Sequence, residues 1–252
     1  MSEARSIDVA FTPAEVMPAG VAVMLDVLRA SSTIVAALAG GYARVLCCDG
    51  VERAEALRGP ERVLAGEREC VPIPGFDHGN SPGALGAGRG RELVLSTTNG
   101  CPAIIAAAEV ADEVLIGSLV NLDAVVGAIA PGADVTVVCA GTDGRFALED
   151  AYAAGRLAAR LEGEPSDAAR GARRIAAAYP DAYEPLAESA DAAVLRATGQ
   201  ADDIAFCARE SVFDVVARVT ALAPGVATIS TGTGESGEAL GRKHNQHSMA
   251  DA

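Results

Sequence analysis

The sequence has no tryptophan and only one lysine, Lys243; the other 19 basic residues are arginines. Without an interior lysine, a Walker-A phosphate loop and Schiff-base or pyridoxal chemistry are both excluded. Histidine is scarce: His78, His244 and His247 are all there is. That rules out a histidine-rich metal site and leaves His78 alone for a catalytic triad. The six cysteines (Cys47, Cys48, Cys70, Cys101, Cys139, Cys207) contain no CxxC pair and no zinc spacing, so they read as buried apolar thiols. No apolar run approaches the ~18 residues that cross a bilayer. The opening MSEARSIDVAF shows no charged-then-apolar leader. A cytoplasmic protein with no membrane partner is expected. Clustered cations are also lacking: a net charge of −14 and a pI of about 4.6 argue against a nucleic-acid partner.

Apolar residues make up 50% of the 252 positions, and the mean hydropathy is +0.25. The interior is therefore built from Ala, Val, Leu and Ile, in one large domain or two closely packed lobes over residues 1–230. A polar tail, 231–252, follows. Its GxGxxG (Gly232 to Gly237) lacks the helix and downstream acid that a dinucleotide fingerprint requires. The organising stretch is 21–41, VAVMLDVLRASSTIVAALAGG. Val21–Leu25 reads as a strand buried on both faces, then a polar turn, then a buried helix from about residue 31 with hydroxyls at its N-cap. Strand and helix alternate from there to Cys139, which predicts a three-layer α/β/α fold around a mainly parallel sheet. Beyond Leu148 the chain turns helical and Ala-rich, with a last strand within 211–219 and a further one at 225–230. The Ala-rich helices of 148–178 suit either a large core or a second copy, and a homodimer is expected. Residues 66–91 form a long Gly/Pro-rich segment, of the kind that carries function.

In an open parallel sheet, ligands sit beyond the carboxyl ends of the strands. Polar residues follow each apolar run: Asp26 and Arg29; Glu67 and Arg68; Ser96 to Gly100; Ser118 and Asn121; Thr142 and Asp143, with Glu149 and Asp150 opening the next helix. If all converge on one edge, they supply hard oxygen ligands suited to Mg²⁺. Beside these stand donors for phosphate or carboxylate, above all the planar fork of Arg29. Capping and turn chemistry is the plainer reading of each turn taken alone. Two other functions fit the same residues. One is a non-catalytic binding module for a small organic phosphate. The other is a cysteine-nucleophile phosphatase, because Cys139 and Arg145 have C-x5-R spacing after a strand.

Five segments in order, DVLRASSTI (26–34), GER (66–68), GFDHGNSP (75–82), STTNG (96–100) and CAG…LED (139–150), resemble the 2-phosphosulfolactate phosphatases. These are the Mg²⁺-dependent, ComB-like enzymes associated with coenzyme M biosynthesis. The resemblance implies an α/β/α fold and hydrolysis of 2-phosphosulfolactate, or a similar phosphate ester of a short anionic 2-hydroxy acid, to sulfolactate and phosphate. It places Asp26, Glu67 and Asp150 at the metal and in catalysis, with Arg29. The substrate would be held by Arg29, Ser31, Ser32, Asn80, Ser81, Thr97, Thr98, Asn99, Gly100 and Asn121. Where the family has His-Gly after the serine matching Ser189, this chain has Ala190-Asp191.

Overall fold

A computed structural model describes residues 5–15 and 20–232. The first half contains β1 (Ser6–Ala10), β2 (Val21–Leu25), α1 (Ala30–Ala39), β3 (Arg44–Cys48), α2 (Val51–Ala56), β4 (Arg62–Arg68), β5 (Val71–Pro72), β6 (Glu92–Ser96), α3 (Gly100–Val110) and β7 (Glu113–Gly117). The second half contains α4 (Leu122–Ala128), β8 (Val135–Cys139), α5 (Leu148–Ala158), β9 (Glu164–Pro165), α6 (Asp167–Ala177), α7 (Tyr183–Glu188), α8 (Ala190–Ala197), α9 (Asp202–Cys207), β10 (Ala217–Ala223) and β11 (Val226–Ser230). The α/β class and the mostly parallel sheet are those that the alternation predicts. The GxGxxG segment and most of the polar tail lie outside the described residues. Among the described residues, no helix is long and apolar enough to cross a membrane.

The sheet has eleven strands in the order β5-β4-β6-β3-β11-β10-β7-β2-β8-β1-β9. It consists of two parallel blocks, β4-β6-β3 and β7-β2-β8-β1-β9, joined through the antiparallel hairpin β10-β11. Three successive antiparallel pairings separate β3 from β7, so the two blocks run in opposite senses along the sheet. The strand ends therefore do not share one edge of a single parallel sheet, as the alternation suggested. Twist supplies the correction. Neighbouring strands rotate by about 20–25°, so the five steps from β6 to β2 turn the blocks by roughly 100–125° relative to each other. The sheet wraps around α1 and α3, and each of these helices packs on strands of both blocks.

β2 shows how the run VAVML reads in space. Val21, Val23 and Leu25 face the core beneath α4, α5 and α6, while Ala22 and Met24 face the core around α1 and α3. All five are buried. α1 starts at Ala30, with its hydroxyls inside the first turn: the Ala30 N–H donates to Asp26 Oδ1 (2.9 Å), and Ser31 Oγ donates to the Asp26 carbonyl (2.7 Å). β11 falls within the expected 225–230, whereas β10 starts later than the expected 211–219. Residues 211–213 instead lie along α4's entry, with the Ser211 and Phe213 N–H groups bonded to the Leu119 and Val120 carbonyls.

The Ala-rich helices bury against each other. Ala154 and Ala158 of α5 and Ala169, Ala172 and Ala176 of α6 belong to one core, so the small-residue faces that suggested a second copy are spent within the chain. Contact is closest at Gly155, where a Cβ would stand 2.0 Å from the Ala172 carbonyl oxygen. Alanine ordinarily improves a helix by about 1 kcal/mol over glycine, but here the methyl has to push α6 away, an overpacking cost of about 1–3 kcal/mol. Gly155→Ala is expected to lower the unfolding free energy in urea titrations.

Candidate active site

Asp26 sits where the first turns of α1 and α3 meet. Its Oδ1 accepts from Ala30 N–H, and a Cβ at Gly100 would lie 2.3 Å from its Oδ2 and 2.5 Å from the Ala30 Cβ. Only glycine at position 100 lets the start of α3 approach this carboxyl so closely. Burial, followed by the negative charge of Asp150, pushes the Asp26 carboxyl well above the usual carboxylate range. Glu67, at the end of β4, comes from the other block. Its Oε1 accepts from Thr98 N–H and its Oε2 from Cys70 N–H, both at 2.8 Å.

Asp26 and Glu67 face one cavity of about 540 Å³. Arg29, Asn80, Thr98 and Asn99 line it too, with Leu28, Val71 and Val194 as apolar wall. Sequence reasoning did not place Glu69, Cys70 and Asp191 here, nor did it choose Thr142 and Asp143 from their strand end, yet all five line the cavity. Asp191 was visible only as a departure from the family pattern. It accepts from Thr142 Oγ1 (2.8 Å) and is hydrogen-bonded to the Glu149 carboxyl, which burial and the charges of Asp150 and Asp191 push well above the usual carboxylate range. The Asp143 N–H reaches Asn99 Oδ1 (3.2 Å), tying the β8–α5 loop to the start of α3.

Five carboxylates thus surround a space in which Arg29 is the one cation among the lining residues. Arg29 is 2% exposed. Its Nη1 donates to Asp203 Oδ2 (2.6 Å) and to Gln200 Oε1, while Nη2 is buried with no partner. Asn80 Oδ1 is likewise buried and unpartnered. A donor and an acceptor left open beside a polar cavity are costly unless a ligand or water takes them.

The other expected residues stand behind this surface. Ser31 and Ser32 are buried, bonding the Asp26 backbone and the Val27 carbonyl with Ser118 Oγ. Thr97 Oγ1 caps α3 by accepting from Cys101 N–H (3.0 Å). Asn121 accepts from Ser118 N–H and donates to the Ile116 and Val215 carbonyls. Ser81 donates to Asp203 Oδ1 (2.6 Å). Asp150 spends one oxygen on Val27 N–H (2.9 Å) and the other on Gly141 N–H (3.0 Å), bracing the turn that carries Asp26. The arrangement a thiolate nucleophile needs is not formed. Cys139 is fully buried and absent from the cavity wall, burial and the nearby Asp150 and Glu149 push its thiol well up, and Arg145 is exposed.

Burial pushes the Asp150 carboxyl up to about 7, against the pull of the Val27 and Gly141 amides. Because that native value lies above the ordinary 3.8, the group's contribution to stability is full below 3.8 and is lost as pH rises through about 7. Asp150→Asn is expected to flatten this fall. Urea unfolding of the metal-free protein, followed from about pH 4 to about pH 8, measures it.

The chain matches known proteins over most of its length. The family model described as 2-phosphosulpholactate phosphatase matches residues 9–221. A probable 2-phosphosulfolactate phosphatase of Thermus thermophilus is 42% identical over 197 residues, covering 75% of this chain and 83% of the relative. Its namesake in Deinococcus radiodurans is 41% identical over 201 residues, 76% of this chain and 84% of the relative. That of Thermotoga maritima is 36% identical over 214 residues, 83% and 93%. The chain belongs to the 2-phosphosulfolactate phosphatase family of phosphoric monoester hydrolases.

Proposed function

We propose that this protein hydrolyses the phosphate ester of a short anionic 2-hydroxy acid in a Mg²⁺-dependent reaction. 2-Phosphosulfolactate, the compound in its relatives' names, is the first substrate to try, in a step of the coenzyme M type. One observation carries the reading: a buried guanidinium with an open Nη2 shares a cavity with carboxylates from both halves of the sheet. Acidic side chains crowd this space around a single arginine, so a cation that accompanies an organophosphate dianion favours its entry.

The donor set suits magnesium. Among the described residues no three or more His, Cys, Asp or Glu side chains form a ready-made cage, and Mg²⁺ does not require one. It keeps several waters and binds through one or two carboxylates together with the substrate's phosphate. Asp26 and Glu67 would hold it, with Asp150 bracing Asp26 from behind. When bound, the ion neutralises phosphate charge and lowers the pKa of a water.

The side chains do the rest. Arg29 binds a phosphoryl oxygen through Nη2, its other edge being fixed by Asp203. Asn80 Oδ1 takes a proton donor of the substrate or of water. Thr98 and Asn99, at the start of α3, face the remaining anionic groups, where the positive end of the helix dipole adds attraction. Leu28, Val71 and Val194 give one side of the cavity an apolar wall. A binding module would use the same contacts but release no phosphate.

EDTA is expected to abolish phosphate release from 2-phosphosulfolactate, and excess Mg²⁺ to restore it. Asp26→Asn should lower kcat by about 10²–10³-fold, the size of effect seen when a positioned charge-stabilising group is lost. Arg29→Lys, which cannot keep the Asp203 bond and still present a second donor in the same plane, should lower kcat/KM roughly 10–100-fold. A colorimetric phosphate assay reads all three. Full activity in EDTA would overturn the metal requirement.

A further inference from the structure

Gln200 does not line the cavity, yet it joins the two limbs that do. Its Oε1 accepts from Arg29 Nη1. Its Nε2 donates to the Cys70 carbonyl (2.5 Å) and to Thr198 Oγ1 (3.0 Å). Cys70 in turn donates its N–H to Glu67 Oε2 (2.8 Å). An unbroken line of hydrogen bonds therefore runs from the guanidinium, through one amide side chain and one backbone residue, to the carboxylate on the far wall. Cys70 is pinned from both sides, and its backbone lies in the left-handed region (φ 62°), as does that of Glu69 (φ 52°). Non-glycine residues hold that conformation where their surroundings enforce it.

The chemistry of position 200 is specific. It must accept from arginine at one end and donate to a carbonyl at the other. Carboxylates only accept and ammonium groups only donate; a side-chain amide does both. Asp203 supplies the second acceptor for Arg29, but its remaining oxygen turns to Ser81, away from Cys70 and Glu67.

We propose that Gln200 is a positioning residue of this site: through Cys70 it sets the placement of Glu67 relative to Arg29, so that the cation limb and the anion limb are held as one unit. The inference rests on Glu67 being the cation limb, as proposed above. A side chain that touches neither ion then governs the affinity for both. Reciprocity follows: what disturbs the seat of one is felt at the other.

The test needs no turnover. Mn²⁺, as a spectroscopic substitute for Mg²⁺, is titrated into the metal-free full-length protein by electron paramagnetic resonance, and inorganic phosphate into the same protein saturated with Mg²⁺ by calorimetry. Gln200→Met keeps the volume and removes all three side-chain hydrogen bonds. It is expected to weaken phosphate about tenfold, the loss of one bond to a charged group, and to weaken Mn²⁺ by about threefold or more through the displaced Glu67. An unchanged Mn²⁺ affinity in a variant that melts with the wild type overturns the proposal, because Gln200 would then serve Arg29 alone. If Gln200→Met does not fold, Gln200→Glu gives a test of sign. The added negative charge by itself tightens Mn²⁺, whereas loss of the donor to Cys70 loosens it, so weaker binding supports the relay and tighter binding overturns it. A wild-type protein that binds Mn²⁺ and phosphate but cleaves no phosphate ester would sink the proposed reaction and leave this inference standing. A wild-type protein that does not bind Mn²⁺ sinks both.

Discussion

The meeting of two helix starts on one buried carboxyl is the constraint on which the rest depends. α1 follows β2 and α3 follows β6, so each belongs to a different half of the sheet. Their first residues, Ala30 and Gly100, are in contact across Asp26. The contact is possible because the sheet coils round the two helices and because position 100 has no side chain. Burying a carboxyl there is unfavourable in itself. It is made tolerable by the Ala30 amide and by the positive ends of two helices. Packing, then, decides where the charge sits, and the charge decides what can bind.

What results is unlike a basic phosphate pocket. The cavity is rich in acceptors and has one guanidinium among its lining residues, held on one edge and open on the other. Such a site discriminates against anions that arrive alone. In a protein of net charge −14 that is a useful filter, because long-range attraction does not favour anionic metabolites in general. Selectivity is left to short-range contacts, which lose little to salt because they are buried.

Much of this could be read from the sequence, for identifiable reasons. The VAVML run declares a strand covered on both sides, and the strand-end rule brings Asp26, Arg29, Glu67, Thr98 and Asn99 to attention; all five reach the cavity. The same rule over-selects. Ser31, Ser32, Thr97 and Asn121 also follow strands, but a hydroxyl or amide in a turn has backbone partners within reach, and these four are satisfied there. Asp191, Gln200 and Asp203 show the opposite failure. They come from the helical region after residue 180, where nothing in the local pattern tells a buried polar residue from a solvated one. The opposed sense of the two strand blocks was hidden as well, since local periodicity does not report which strand a C-terminal hairpin will join.

That hairpin has a consequence for how the halves of the sheet are joined. Among the described residues β10 and β11 are the last strands in sequence, yet they occupy the middle of the sheet, between β3 and β7. Without this hairpin, the edges of β3 and β7 that it covers would be left with unpaired hydrogen-bonding groups, the kind of surface that pairs with neighbouring chains. Asp26 belongs to one half and Glu67 to the other. The two halves that supply the pocket are thus joined through strands that follow every residue of its lining in the chain.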